Sequence, residues 1–177
     1  QINHMHEHPE FPDEPLSPWV ENRPGWWPDR YDELEHIHTK DLNETFDFVY
    51  FWRKLIDDYR VEKGIETDIL IMTEAYASIE DTMRYYRDPI NENRRGAHMP
   101  FNFQLIWGFE LDRKAIDLKG SIDYFKNNMP SGESTNWVAG SHDHSRVASR
   151  VAAVYVPIVN TIVLTLPGSS ITYYVSD

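Results

Sequence analysis

Cysteine is absent from all 177 residues, so the chain has neither a disulfide framework nor thiolate metal ligands. Positive charge is scarce: 17 Lys and Arg stand against 29 Asp and Glu, a net charge of −12. Phosphate backbones are gripped by basic surfaces, so this balance argues against a nucleic-acid partner and suits a neutral ligand such as a sugar. No apolar run reaches transmembrane length, and no signal-peptide pattern stands at Gln1. The longest apolar stretch, Val151 to Leu166, is broken by Tyr155, Pro157, Asn160, Thr161 and Thr165. Any membrane association is expected only through segments outside this chain. Metal motifs are missing too. His4, His6 and His8 alternate, and His36 and His38 lie two apart, but no H-E-x-x-H or second ligand cluster accompanies them. They read as solvated loop, and neither a metal nor a cofactor is expected.

What is present is an ordinary globular composition, 41% hydrophobic and 26% charged, with 14% aromatics that pack cores and also stack on sugar rings. Residues 1–41 have no hydrophobic period and read as an irregular loop or insertion. Regular alternation follows. Asp41-Leu42-Asn43-Glu44 has capping-box form, with Phe46, Val49, Tyr50, Arg53, Ile56 and Tyr59 at helical spacing up to Gly64. Asp68 to Thr73 suits a buried parallel strand, and Ser78 caps a helix to about Arg87. Strands are expected at Met99–Leu105, Thr135–Gly140 and Ser170–Tyr174. Helices are expected at Lys114–Asn127 and Ser149–Leu166, with Pro157 kinking the last or shifting its start. Strands alternating with helices imply right-handed parallel βα units, in a doubly wound sheet or a (β/α)8 barrel.

In such folds the chemistry sits just past the carboxyl ends of strands. Glu74 follows the apolar run Ile69–Met72, and His142 and Asp143 follow Trp137–Gly140. A carboxylate at a strand mouth is costly to bury unless it is paired or working. Ser141-His142-Asp143 is not a serine-hydrolase triad, because adjacent residues cannot converge as a triad does.

These residues carry a resemblance. Ile71-Met72-Thr73-Glu74-Ala75-Tyr76 and Gly140-Ser141-His142-Asp143-His144-Ser145-Arg146-Val147-Ala148-Ser149-Arg150 resemble two active-site segments of α-amylase-superfamily maltases (α-glucosidases). His98 to Phe103 resembles the strand between them, and Leu166-Pro167-Gly168 with Ile171 to Tyr174 resembles the last barrel strand. The matches fall in family order over about residues 41–174. The resemblance implies the C-terminal half of a (β/α)8 TIM barrel, strands five to eight, over residues 42–177, with 1–41 as an insertion after strand four. It implies a secreted or cell-surface enzyme that releases glucose from the non-reducing end of α-glucosides with retention. Glu74 would be the general acid/base, its pKa raised by burial or a neighbouring carboxylate. Asp143 would stabilise the transition state and could also cap the next helix. His142, and more distantly Arg146, would bind the substrate. The alternatives are a non-catalytic relative, such as an amino-acid-transporter heavy chain, or a maltase used as a toxin-docking surface.

The sequence departs from the family pattern in three places. The motif of G-F-R-x-D-A type that carries the nucleophile is absent, the asparagine before His-Asp is Ser141, and the last strand runs into Val175-Ser176-Asp177. The ends therefore read as cut, and the chain alone is expected to be inactive and marginally stable. Asn43-Glu44-Thr45 is a glycosylation sequon at a helix start. If Asn102 points inward, Phe101 and Phe103 face the helices as packing, with a sugar platform as the alternative; Trp26 and Trp27 are expected to pack a loop.

Overall fold

In a computed structural model, residues 9–18, 20, 30–109 and 114–174 are described, Asp32 by its backbone alone. His4, His6, His8, Trp26, Trp27 and residues 175–177 lie outside the described residues. Before the first helix, Leu16 and Leu34 form a single antiparallel bridge, and Tyr31–Glu33 make one 3-10 turn. The Glu14 carboxylate ties this segment together. It accepts from the His38 amide (3.1 Å) and the Thr39 hydroxyl (2.9 Å) and contacts His36 Nδ1. These contacts place His36 and His38 in a hydrogen-bonded anchor where the sequence reads solvated loop.

Helix α1 spans Asn43–Glu62 and buries Phe46, Val49, Tyr50 and Arg53, the i, i+3, i+4, i+7 face set by the sequence spacing. The expected capping box does not form. Leu42 occupies the boundary without a side-chain cap, Asp41 has a left-handed φ of 53°, and its carboxylate accepts instead from the Tyr85 hydroxyl at 2.9 Å. Gly64, at φ +62°, ends the helix in the conformation that glycine adopts without cost. Helix α2 spans Ile79–Tyr86 and begins as expected, with the Ser78 hydroxyl accepting from the Asp81 amide at 3.0 Å. Phe46 and Tyr85 join α1 to α2, with ring centroids 4.8 Å apart.

The strands are short. β1 (Met72–Thr73) pairs in parallel with β2 (Met99–Pro100), and β3 (Asn136–Val138) pairs in parallel with β4 (Ser169–Ile171). No backbone ladder joins β2 to β3. Side chains span that gap instead. Fully buried Asn136 donates its amide to the Pro100 carbonyl (2.7 Å) and accepts from the Asn102 amide N–H (3.0 Å), while Asn102 Nδ2 reaches Thr135 Oγ1 (3.3 Å). The strand expected at Met99–Leu105 stops early because Asn102 Oδ1 accepts from the Gln104 amide at 3.1 Å, a turn that starts helix α3 (Gln104–Gly108).

Helix α4 covers Ala115–Asn128. The long helix expected from Ser149 is split into α5 (Val147–Arg150), a 3-10 turn at Ala153–Tyr155, and α6 (Val156–Thr165). Pro157 explains the late start: it sits in the first turn of α6, where an N–H would have no helical partner. The larger core cluster gathers Leu105, Phe109, Trp137, Val147, Val151, Val159 and Val163, and Trp137 donates its indole N–H to the Pro167 carbonyl at 2.8 Å.

His98 joins β1 to β2 outside the ladder: its Nδ1 accepts from the Ile71 amide at 3.1 Å. Burial, then the Arg53 charge, holds its pKa below the ordinary 6.5, against weaker opposing pulls from Asp57, Asp68 and Glu133. The fold therefore prefers the neutral ring. This contribution to stability is complete above about pH 6.5 and is lost as pH falls through the lowered folded value. In the full-length protein, the His98 ring resonances are expected to titrate below 6.5. A H98N variant is expected to flatten the acid limb of melting temperature against pH; an unchanged limb would contradict this.

Candidate active site

Glu74 is the first residue beyond β1, and Ser141, His142, Asp143 and His144 follow β3 in a loop that leads into α5. Both segments leave the carboxyl ends of parallel strands, so two separate βα units deliver side chains to one place. Glu74, His142 and Asp143 each bring a polar atom to within 4.8 Å of the others. His142 Nε2 lies 3.3 Å from Asp143 Oδ1, and these two side chains are 63% and 47% exposed, open to a ligand. Glu74 is exposed as well, so the burial expected around it is not provided by the described residues.

Behind the polar group stands an aromatic wall. The Tyr76 ring stacks on Phe103 (centroids 4.5 Å apart, 21°), meets Trp107 at 5.9 Å and lies 5.6 Å from His144. Phe101 stacks on Phe103 at 5.7 Å. Phe103 packs on α3 through Ile106 and Trp107, as expected, and Phe101 joins the same cluster. Asn102 turns into the β2–β3 gap, and Phe103 backs the candidate site together with Ile106 and Val138.

The Tyr76 hydroxyl donates to Asp143 Oδ2 at 3.2 Å and lies 3.4 Å from Ser141 Oγ. Ser141 Oγ accepts from the Asp143 amide (3.3 Å) and pairs with His144 Nδ1 (3.0 Å). The serine standing where the family pattern has asparagine thus holds the turn. Burial, with the Asp143 and Glu74 charges adding to it and Ser141 opposing, pushes the Tyr76 hydroxyl above its ordinary 10. The Tyr76 carbonyl accepts from Lys40 Nζ at 2.6 Å, which fastens the segment before α1 to the site.

The structure thus brings Glu74, His142 and Asp143 together and engages Arg146 elsewhere. Its guanidinium donates to the Tyr174 carbonyl (2.9 Å) and lies 4.7 and 4.8 Å from the Tyr173 and Tyr174 ring centroids. Asp143 does not cap α5; Arg146 occupies that boundary with no side-chain cap. Asn43 is exposed in the first turn of α1, its Oδ1 accepting from Arg84 Nη2 at 2.6 Å. Tyr76, Trp107 and Lys40 carried no role in the sequence reading. Tyr76 had a signal, since two-residue alternation past a strand sets it on the same side as Glu74. Trp107 had none, because α3 starts inside the expected strand Met99–Leu105 and was not read as a helix.

Chemically, two carboxylates and an imidazole around one open volume can bind vicinal hydroxyls and exchange protons with a bound ligand. Among the described residues they are also the one set of His, Asp or Glu side chains near enough to share a cation. All three are exposed, and the same donors and acceptors match a polyol.

The family model described as "Alpha amylase, catalytic domain" matches residues 1–176. "Alpha-glucosidase" of Culex pipiens is 54% identical over 173 residues, 98% of this chain and 28% of that protein. "Maltase A2" of Drosophila melanogaster is 41% identical over 180 residues, 98% of this chain and 30% of that protein. The human "Amino acid transporter heavy chain SLC3A1" is 36% identical over 146 residues, 82% of this chain and 20% of that protein. The chain spans less than a third of the length of these relatives.

Proposed function

The chain belongs to the α-amylase catalytic-domain family, and from that premise we propose that it is part of an exo-acting α-glucosidase, a retaining hydrolase of maltose, sucrose or short α-glucosides. The family's catalytic domain is a (β/α)8 barrel. Residues 42–177 are read as its half with strands five to eight, and residues 1–41 as an insertion after strand four. The exposed apolar residues Phe51, Leu55 and Tyr59 of α1 and Leu70 before β1 support this, as surface for further barrel elements to cover.

The observation that carries the reading is the convergence of Glu74 with His142 and Asp143 from two different strands. Glu74 protonates the glycosidic oxygen and then deprotonates the attacking water. Asp143 and His142 hold hydroxyls of the non-reducing glucose, and Asp143 stabilises the oxocarbenium-like charge. Arg146, against the Tyr173 and Tyr174 rings, orients a carboxylate or contacts the next sugar. The nucleophile is a third carboxylate, which the Glu74 group does not contain; retaining chemistry sets it about 5 Å from the acid. A secreted or cell-surface location, with glycan on exposed Asn43, completes the proposal.

The full-length protein is expected to hydrolyse maltose and to release α-glucose first, observed by NMR before mutarotation. Release of β-glucose would overturn retention, and no turnover would favour the non-catalytic, transporter-associated reading. The 177 residues alone are expected to leave a chromogenic α-glucoside intact, and measurable turnover by them would contradict the missing nucleophile.

A further inference from the structure

Hydrogen-bond accounting around Asp143 singles out one residue that the roles above leave unused. A tyrosine hydroxyl has one proton, and three acceptors surround that of Tyr76: Asp143 Oδ2 at 3.2 Å, Ser141 Oγ at 3.4 Å and His144 Nδ1 at 3.5 Å. Ser141 and His144 satisfy each other at the shorter distance of 3.0 Å, and Ser141 Oγ also accepts from the Asp143 amide at 3.3 Å. The Tyr76 proton is thereby left to Asp143, the nearest of the three acceptors and the charged one. The ring cannot easily swing away, being stacked on Phe103 and edged by Trp107, while Lys40 holds the backbone carbonyl.

We propose that Tyr76 is a positioning residue that fixes the Asp143 carboxylate through Oδ2 and leaves Oδ1, beside His142, for the substrate. The Asp143 side chain is 47% exposed, and among the described residues no other side chain donates to its Oδ2. Without Tyr76 it would rotate between several orientations. Since Asp143 is read as acting on charge that develops in the transition state, its misorientation should cost more in the transition state than in ground-state binding. The raised pKa of Tyr76 agrees with a hydroxyl that stays protonated as a donor throughout the working pH range.

The inference rests on the reading of Asp143 as transition-state stabiliser, so the test separates the two. In the full-length protein, Tyr76→Phe keeps the stacked ring and removes only the hydroxyl. We expect kcat on maltose to fall about 10- to 100-fold, the range for a hydrogen bond to a charged group, with KM changed less than about 3-fold. Affinity for a cationic iminosugar that mimics the oxocarbenium ion should fall in parallel with kcat/KM, while affinity for glucose stays within about 3-fold. A merely structural role would weaken both ligands together or lower the melting temperature with the activity. If Tyr76→Phe keeps kcat within 2-fold while Asp143→Asn inactivates, the positioning role is overturned and the site reading stands. If Asp143→Asn itself retains kcat, the site reading falls and takes this inference with it.

Discussion

Replacing Glu74 by Gln in the full-length protein is expected to lower kcat/KM for maltose by about 10²- to 10⁴-fold, the range that a positioned general acid supplies. Glutamine is nearly isosteric and keeps polar atoms beside His142 and Asp143, so the fold and the sugar contacts should survive. What disappears is the proton for the departing glucose. The loss should depend on the leaving group. A nitrophenolate departs without protonation, so the first step on 4-nitrophenyl α-glucoside should be much less affected, and a burst of nitrophenol should precede slow turnover. The plainer role for Glu74 is an ion-pair partner at a strand end. Among the described residues no ion pair includes it, although Arg53, Arg60, Arg87 and Arg94 all pair with other acids. Equal losses on both substrates, or none on maltose, would return Glu74 to a structural part.

Asn136→Ala is expected to be the most damaging small substitution in the scaffold. Asn136 is wholly buried and does the work of a backbone ladder between β2 and β3, donating to the Pro100 carbonyl and accepting from the Asn102 amide. Pro100 has no N–H of its own, so it cannot donate into a ladder with β3. Truncation strands a buried carbonyl and a buried amide, each at roughly 1–3 kcal/mol, and opens a cavity besides. The sum, about 2–6 kcal/mol, is a large part of the 5–15 kcal/mol that ordinarily holds a domain together. Asn136→Asp keeps the acceptor for Asn102 but faces the Pro100 carbonyl with a charge, so it should rescue little. Denaturant unfolding of the full-length variants measures this, and a cost below about 1 kcal/mol would show that the gap is held by something else.

What could be read in the sequence was local or chemical. Ser78 announced its helix because a cap is made within three residues, and Pro157, expected to kink the last helix or shift its start, stands in the first turn of α6. Glu74 and Asp143 stood out as carboxylates placed after apolar runs, and the structure brings them together. Partners distant in sequence account for part of what could not be read. Asp41 looked like part of a capping box, but Tyr85, 44 residues away, takes its carboxylate. Asn102 looked like an inward strand residue, but it closes a turn onto Gln104 and reaches β3. Alternation alone could not reveal that side-chain amides would replace a ladder, or that Phe103 would stack on Tyr76 as well as on α3.

The claim that Glu74 and Asp143 form the acid/base side of a retaining active site is tested most directly by azide rescue. Glu74→Ala in the full-length protein removes the base that activates water, while an activated α-glucoside can still load the nucleophile. A small anion that needs no base can then enter the vacated space and attack. Added sodium azide is expected to restore turnover and to yield α-glucosyl azide, identified by NMR. Glu74→Ala that hydrolyses maltose at the parent rate, or that is insensitive to azide and forms no glucosyl azide, would contradict the assignment.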